Sequence, residues 1–365
     1  MQRIVVSVTN DLITDQRVHK ICSTLVDMNF EVLLIGRKLP NSLPLSRNYK
    51  TFRIKLLFNS GFLFYAEYNL RLFFKLLFLK KDILLSNDLD TLLPNFLISK
   101  LIGNKLVYDS HELFTEIPEL IDRPKVQFIW LKIEKIILPK VKNCYTASDS
   151  IAIYYKDAYN SDFKIIRNVP YTIRNNVKSN FPFDIESKKN ILYQGSVNLC
   201  RGIDLMIEAM QYVENALFII IGDGDLLKEM KLKVDFLKLN HKIKFIASVS
   251  PEKLSALTPL ADIGISLEED KGLSYRYALP NKLFDYIQAK IPVIVSNLPE
   301  MRRIIDEYSV GKVLYDRSPK NLAKIVIEML EKGKKPWQES LNKASNELVW
   351  ENEKKKIKKI FQNLK

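Results

Sequence analysis

The sequence predicts an α/β protein built from two Rossmann-like, doubly wound parallel-sheet halves. Three observations carry this. Short apolar runs alternate with helical patterns from end to end. The rhythm breaks once, in the polar stretch "YTIRNNVKSNFPFDIESKKN", and then restarts. The length, 365 residues, suits two domains of roughly 150 residues each better than one core.

The elements follow in order. "RIVVSVT" reads as a strand. "TDQRVHKICSTLVDMNF" reads as a helix capped by Thr14 or Asp15, with Val18, Ile21, Cys22 and Leu25 on one face. "EVLLIG", "DILLSN", "KLVYDS" and "NCYTAS" are strands, and "TLLPNFLISKLIG" is the helix between the second and third of these. The second half runs "ILYQG" strand, "GIDLMIEAMQYV" helix, "ALFIIIG" strand, "DLLKEMKLKVDFL" helix, "IKFIA" strand, "PEKLSALTPLA" helix and "DIGISL" strand. A helix beginning near Pro280 and the strand "PVIVS" follow. This βαβ order predicts parallel sheets covered on both faces, with ligands beyond the carboxyl ends of strands and a cleft between the domains as the natural site. The domains are expected at 1–175 and 176–335, with one or two helices over 336–365.

Composition excludes several classes. At 47% hydrophobic and 27% charged, the chain can bury sizeable cores and is not disordered. Cys22, Cys144 and Cys200 are odd in number and far apart, which suggests a reducing compartment and no disulfide framework. His19, His111 and His241 are dispersed and match no zinc spacing. The start, "MQRIVVSVTND", reads as a short strand and not a signal peptide, and no apolar run reaches about 18 residues. A cytoplasmic protein is expected. Net charge is +14, which suits an anionic partner, although a lysine-rich composition alone accounts for it. No zinc-finger, RNA-recognition or helix-turn-helix pattern points to nucleic acid.

Three stretches of the second half can hold a phosphorylated ligand. In "ILYQGSVNLCRGIDLMI", Gly195 ends a strand, Gly202 begins a helix, and Arg201 is placed to reach an anion there. Such a turn is equally an ordinary strand-to-helix connection. In "IIIGDGDLLKEM", Gly222, Asp223 and Gly224 form a tight turn whose acid suits a base or ribose, and Asp-Gly is also common turn chemistry. "ALPNKLFDYIQAKIPVIVS" is more specific. Pro280 suits the first helical turn, and the amides near Leu279, Asn281 and Lys282 are free to hold a diphosphate. Lys282 adds charge. Asp285, one turn on, is placed to accept from ribose hydroxyls, or else simply complements the helix dipole.

Taken together, "GSVNLCRG", "IGDGD", "SLEED" and "FDYIQAKIPVIVS", in that order, resemble the family-4 retaining glycosyltransferases of the GT-B fold, and "TDQRVHKICSTLVDMNFEVLLIG" resembles that family's first helix and second strand. The resemblance covers nearly the whole chain. It implies a nucleotide-diphosphate-sugar donor held mainly by Gly195, Arg201, Gly222, Asp223, Leu279, Asn281, Lys282 and Asp285. It implies a C-terminal segment returning towards the first domain, and catalysis without a metal or other cofactor. The family pairs two glutamates with seven residues between them. Asp285 matches the second, Tyr277 stands where the first belongs, and Glu268 and Glu269 are its counterparts on a longer loop. Ser196 replaces the glycine turn's usual arginine, and "TNDLITD" replaces the glycine-rich loop after the first strand.

In the first half, "KLVYDSHELFTEIPEL" places His111 just beyond a strand, where the family often has a histidine facing the donor sugar. A lone histidine is otherwise more often structural. Asp109 and Glu112 beside it suit a helix cap. Asp88 and Asp90 form an Asp-x-Asp triplet, which holds metal in a different glycosyltransferase fold; here it reads as helix capping and cleft wall. Glu119, Arg123 and Lys125 are candidates for the acceptor side, although no pattern in the sequence fixes them there. In "GFLFYAEYNLRLFFKLLFLKK", Glu67, Arg71 and Lys75 share a face at i, i+4 spacing among apolar and aromatic residues, followed by Lys80 and Lys81. This is either a helix buried between sheet and loops or one that docks on an anionic membrane surface.

The expected protein is therefore a retaining glycosyltransferase of cell-surface polysaccharide synthesis, acting on a glycan or lipid-linked acceptor and peripheral at the inner membrane face. Its catalytic residues are His111 with Glu268 and Glu269. The rivals are a nucleotide-sugar epimerase of the same fold and a non-catalytic glycan- or membrane-binding relative.

Overall fold

The structure, a computed structural model, describes residues 1–172, 179–185 and 188–364. The expected boundary between 175 and 176 and the Glu119 side chain lie outside the described residues. The chain forms two compact units, Met1–Asn168 with Asn352–Lys365 and Val169–Glu351.

The strands of the first unit are β1 (Arg3–Ser7), β2 (Glu31–Lys38), β3 (Lys50–Lys55), β4 (Ile83–Asn87), β5 (Lys105–Ser110), β6 (Asn143–Thr146) and β7 (Phe163–Ile165). Among the described residues they form one parallel sheet in the order β3-β2-β1-β4-β5-β6-β7. β4 is buried along its whole length because helices cover both faces of a parallel sheet. β3 and β7 are absent from the sequence reading. β3 is an edge strand with a half-exposed alternation, and β7 has three residues, so neither offers a continuous apolar run.

The second unit holds β8 (Lys189–Gln194), β9 (Ala216–Ile221), β10 (Ile243–Ile246), β11 (Ile263–Ser266), β12 (Val293–Ser296) and β13 (Gly311–Leu314). Their order is β10-β9-β8-β11-β12-β13, again all parallel. Both sheets therefore reverse direction once, between β1 and β4 and between β8 and β11. At such a switch point the neighbouring loops diverge and leave a crevice at the carboxyl ends.

Helix Gln16–Asp27 is capped by Asp15, whose carboxylate accepts from the Val18 amide. Helix Gly61–Phe78 buries Phe64, Tyr68, Leu72 and Leu76 and leaves its other side exposed, so it is not a fully buried helix. Helices Gln338–Glu347 and Trp350–Gln362 close the chain. In the first unit, Phe361 meets Phe30 edge to face at 6.2 Å, and Lys354 pairs with Asp27.

Candidate functional site

The second unit's switch point is assembled from two turns and a helix start. Gly195 follows β8 and Gly222 follows β9. The turns are pinned together: the Val197 amide donates to the Asp223 carbonyl (2.9 Å) and the Leu226 amide to the Val197 carbonyl (3.0 Å). Gly222 has to be glycine, because a Cβ there would lie 1.9 Å from the Gly195 carbonyl oxygen. Gly202 sits at φ +68°, and a Cβ would lie 2.2 Å from the Leu267 carbonyl oxygen. Its absence lets the turn carrying Arg201 lie directly on the strand end that carries Glu268. Asp223 is exposed and accepts from the Gly224 amide (2.8 Å), as an acid does in an ordinary turn.

Helix Asn281–Gln288 brings in the third component. Pro280 is its N-cap and not a residue of its first turn, because its ψ of 140° is extended. Lys282 turns inward. Its Nζ donates to Glu268 Oε1 (2.9 Å) and lies 4.2 Å from the centre of the Tyr193 ring. Glu268 is fully buried and also accepts from the Ser266 hydroxyl (2.8 Å), while Arg201 Nη1 stands 4.0 Å away. Burial works against the Glu268 carboxylate, but Lys282, Ser266 and Arg201 outweigh it and hold its pKa below the ordinary value. Arg201 also lies over the Tyr275 ring at 5.1 Å. Asp285 accepts from Gln194 Nε2 (3.0 Å), and Gln194 Oε1 in turn accepts from Thr258 Oγ1 (2.8 Å). Glu269 is partly exposed; its amide donates to the Cys200 carbonyl (2.9 Å), and its carboxylate lies 3.8 Å from Lys271 Nζ.

So Gly195, Arg201, Glu268, Lys282 and Asp285 belong to one constellation at the ends of β8 and β11. Leu279 and Asn281 flank the N-cap of helix Asn281–Gln288, and Gly222 backs the turn at Gly195. Sequence reasoning passed over Arg317. Its guanidinium donates to the Leu267 and Glu268 carbonyls (3.0 and 3.1 Å) and to the Ser296 hydroxyl (2.7 Å), fixing the backbone of the acidic loop. Gln194 was also missed, although a polar residue ending an otherwise apolar strand is a readable signal.

The first unit has its own cluster near its switch point. His111 follows β5, with Nε2 3.2 Å from Asp109 and Nδ1 3.3 Å from Asp88. Asp109 does not cap a helix. It is fully buried and takes the Arg17 guanidinium at 2.7 Å, and Arg17 also donates to the Ile166 carbonyl. Asp88 occupies the N-cap position of helix Leu89–Ile102 but gives that helix no side-chain bond; its carboxylate accepts from the His111 amide (2.9 Å) instead. Its backbone is held at φ +56°, which a non-glycine residue adopts only when its surroundings impose it. Asp90 bonds Thr9 (2.5 Å), and burial followed by the nearby Asp88 charge lifts its pKa to about 7. Burial disfavours the His111 imidazolium, but Asp88 and Asp109 more than offset this and raise its pKa to about 10. The group is a cation at neutral pH, a donor at both ring nitrogens.

The sequence model of the family described as "Glycosyl transferases group 1" matches residues 177–347. That span is a glycosyl transferases group 1 domain. A curated protein from Methanocaldococcus jannaschii, described as an uncharacterized glycosyltransferase, is 27% identical to this chain over 143 residues. The match covers 38% of this chain and about a third (35%) of that protein. The fold is shared more widely. Sucrose-phosphate synthase from Thermosynechococcus elongatus superposes with a TM-score of 0.81 at 15% identity, covering 100% of this chain and 99% of that one. HepE from Anabaena, in complex with UDP-glucose, superposes at 0.74 and 13% identity, covering all of both chains. WaaG, a glycosyltransferase involved in lipopolysaccharide biosynthesis, does so at 0.69 and 14%, covering 98% and 99%. The two doubly wound sheets match those of GT-B glycosyltransferase structures.

Proposed function

We propose that the chain is a retaining glycosyltransferase that moves a sugar from a nucleotide-diphosphate donor to a hydroxyl of a glycan or lipid-linked acceptor, in cell-surface polysaccharide synthesis. The observation that supports it best is the Arg201, Glu268 and Lys282 constellation at the switch point of a group 1 domain. When the sugar leaves, negative charge grows on the diphosphate. Arg201, Lys282 and the start of helix Asn281–Gln288 supply fixed positive charge for it. An ammonium has three donor hydrogens, so Lys282 can keep Glu268 and still bond a phosphate. In this reading Asp285 takes the ribose hydroxyls, with Gln194 holding its carboxylate in place. Glu268, sealed from solvent, orients Lys282, and the more accessible Glu269 meets the sugar. In this reading His111 meets the sugar as a cation, and donates to it only by exchanging one of its two N–H contacts, to Asp88 or to Asp109. The diphosphate is handled by side chains and helix amides, with no metal or cofactor.

A thermal-shift screen of nucleotide-diphosphate sugars, followed by product analysis with added acceptors, tests this. A ligand that binds only the folded state raises stability by mass action. Stabilisation by one donor class, and transfer with the anomeric configuration kept, is the expected result. Donor turnover in the absence of acceptor would favour the epimerase instead. No stabilisation by any nucleotide sugar would leave a non-catalytic relative.

A further inference from the structure

The most exposed apolar surface of the first unit has no part in the chemistry above. Helix Gly61–Phe78 carries Phe62, Ala66, Leu70, Phe74 and Phe78 at strict four-residue spacing, and every one of them is exposed. Phe62 is 62% exposed and Phe78 83%, far beyond what a side chain facing a core shows. The helix packs against Leu89–Ile102, which packs against Pro124–Ile137. These neighbours add Leu101 at 65% and Phe128 at 66% exposure. One side of the unit thus presents three helices whose outer faces are apolar.

The charges on these helices are sorted by sign. Lys100, Lys125, Lys132 and Lys135 are exposed, as is Arg71. The acidic residues are all turned in or already paired. Glu67 accepts from the Leu57 and Phe58 amides and from Arg71, Asp90 is buried on Thr9, and Glu134 is buried on Thr115 and Tyr159. Among the described residues of these three helices, what solvent meets is hydrocarbon and positive charge, with the exposed Asp122 standing just before Pro124–Ile137.

We propose that this three-helix face docks on an anionic lipid surface, with Leu70, Phe74 and Phe78 entering the acyl boundary and the lysines meeting headgroup phosphates. The charge pattern selects this occupant. A second copy of the same face would set lysine against lysine. Nucleic acid would complement the lysines but gives a row of phenylalanine and leucine methylenes nothing to bury against. An anionic bilayer complements both at once. The inference goes beyond the proposed reaction and does not depend on it, since no donor-side residue takes part.

Flotation of the full chain with vesicles tests it. Binding is expected to vesicles containing phosphatidylglycerol and not to phosphatidylcholine alone, and it should weaken with salt. Lys132→Gln with Lys135→Gln should lower partitioning about twenty-five-fold, near fivefold for each charge. Phe74→Ser with Phe78→Ser should remove the part that survives high salt. Circular dichroism checks the folding of each variant, and should the phenylalanine pair misfold, the exposed lysine pair decides alone. No binding to anionic vesicles at low salt overturns the proposal. So does binding that both pairs of substitutions leave unchanged, or a lipid-free dimer that the same substitutions dissolve. A nucleotide-sugar thermal shift would survive any of these outcomes, so the two readings fail separately.

Discussion

The Lys282 ammonium donates to the Glu268 carboxylate across 2.9 Å, with both groups nearly sealed from solvent. Neither charge can be removed alone without stranding the other. Lys282→Ala is therefore expected to cost on the order of 3–5 kcal/mol of folding stability. Glu268→Gln combined with Lys282→Met should recover most of that and still bind donor poorly. Urea denaturation of the single and double variants measures it. The pH dependence has a definite sign. Glu268 is held below its ordinary value of 4.5, so the stability it contributes is present above that pH and is lost as pH falls through the depressed folded value. A Lys282→Ala protein as stable as the parent would remove the pair from the account.

Asp285→Ala should weaken donor binding much more than folding. The side chain is half-buried and bonds Gln194, a modest structural contribution, whereas lost ribose bonds should cost on the order of 1–3 kcal/mol of affinity. Calorimetric titration of a well-folded mutant with nucleotide diphosphate reads this directly, and unchanged affinity would refute the assignment.

His111→Ala should leave nucleotide binding nearly intact and lower turnover sharply. It should also destabilise the first unit, because Asp88 and Asp109 lose their shared cation. The sign of the pH effect is opposite to that of Glu268. The folded pKa of about 10 lies above the ordinary 6.5, so this stabilisation is complete below about 6.5 and disappears as pH rises through 10. The stability gap between parent and His111→Gln should therefore narrow from pH 7 to 10. A gap independent of pH would mean that the ring's charge contributes nothing.

Turnover is expected to persist in chelator, since Arg201 and Lys282 provide the charge that a divalent ion provides in other transferases. Activity lost to chelator and restored by magnesium or manganese would contradict this.

Both sheets were legible because the strands that build their centres are continuous runs of branched apolar residues, such as "ALFIII" for β9. Of the edge strands, β10 was read from "IKFIA", but β3, β7 and β13 were not, since half-exposed alternation as in "KTFRIK" resembles loop composition. Glycine turns and the helix at Asn281 could be placed because backbone needs leave local marks. Partner choice leaves none. Nothing in "SLEED" says that Glu268 faces Lys282 while Glu269 faces outward, and the 92-residue separation between Arg17 and Asp109 hides their ion pair from any local pattern. Asp88 shows the same limit: its place before a helix predicts a cap, but tertiary contact with His111 takes the carboxylate instead.

The first unit takes in residues 352–364 after the chain has passed through the whole of the second. On a ribosome this matters. Strands β1 to β7 emerge early and can pair, but the helix that covers Phe30 arrives only after about half the protein has followed. Until then the early unit leaves Phe30 without its Phe361 cover and lacks the Lys354 tether to Asp27. The nascent chain should bind holdase chaperones through that interval, and truncation before Asn352 should make the interval permanent.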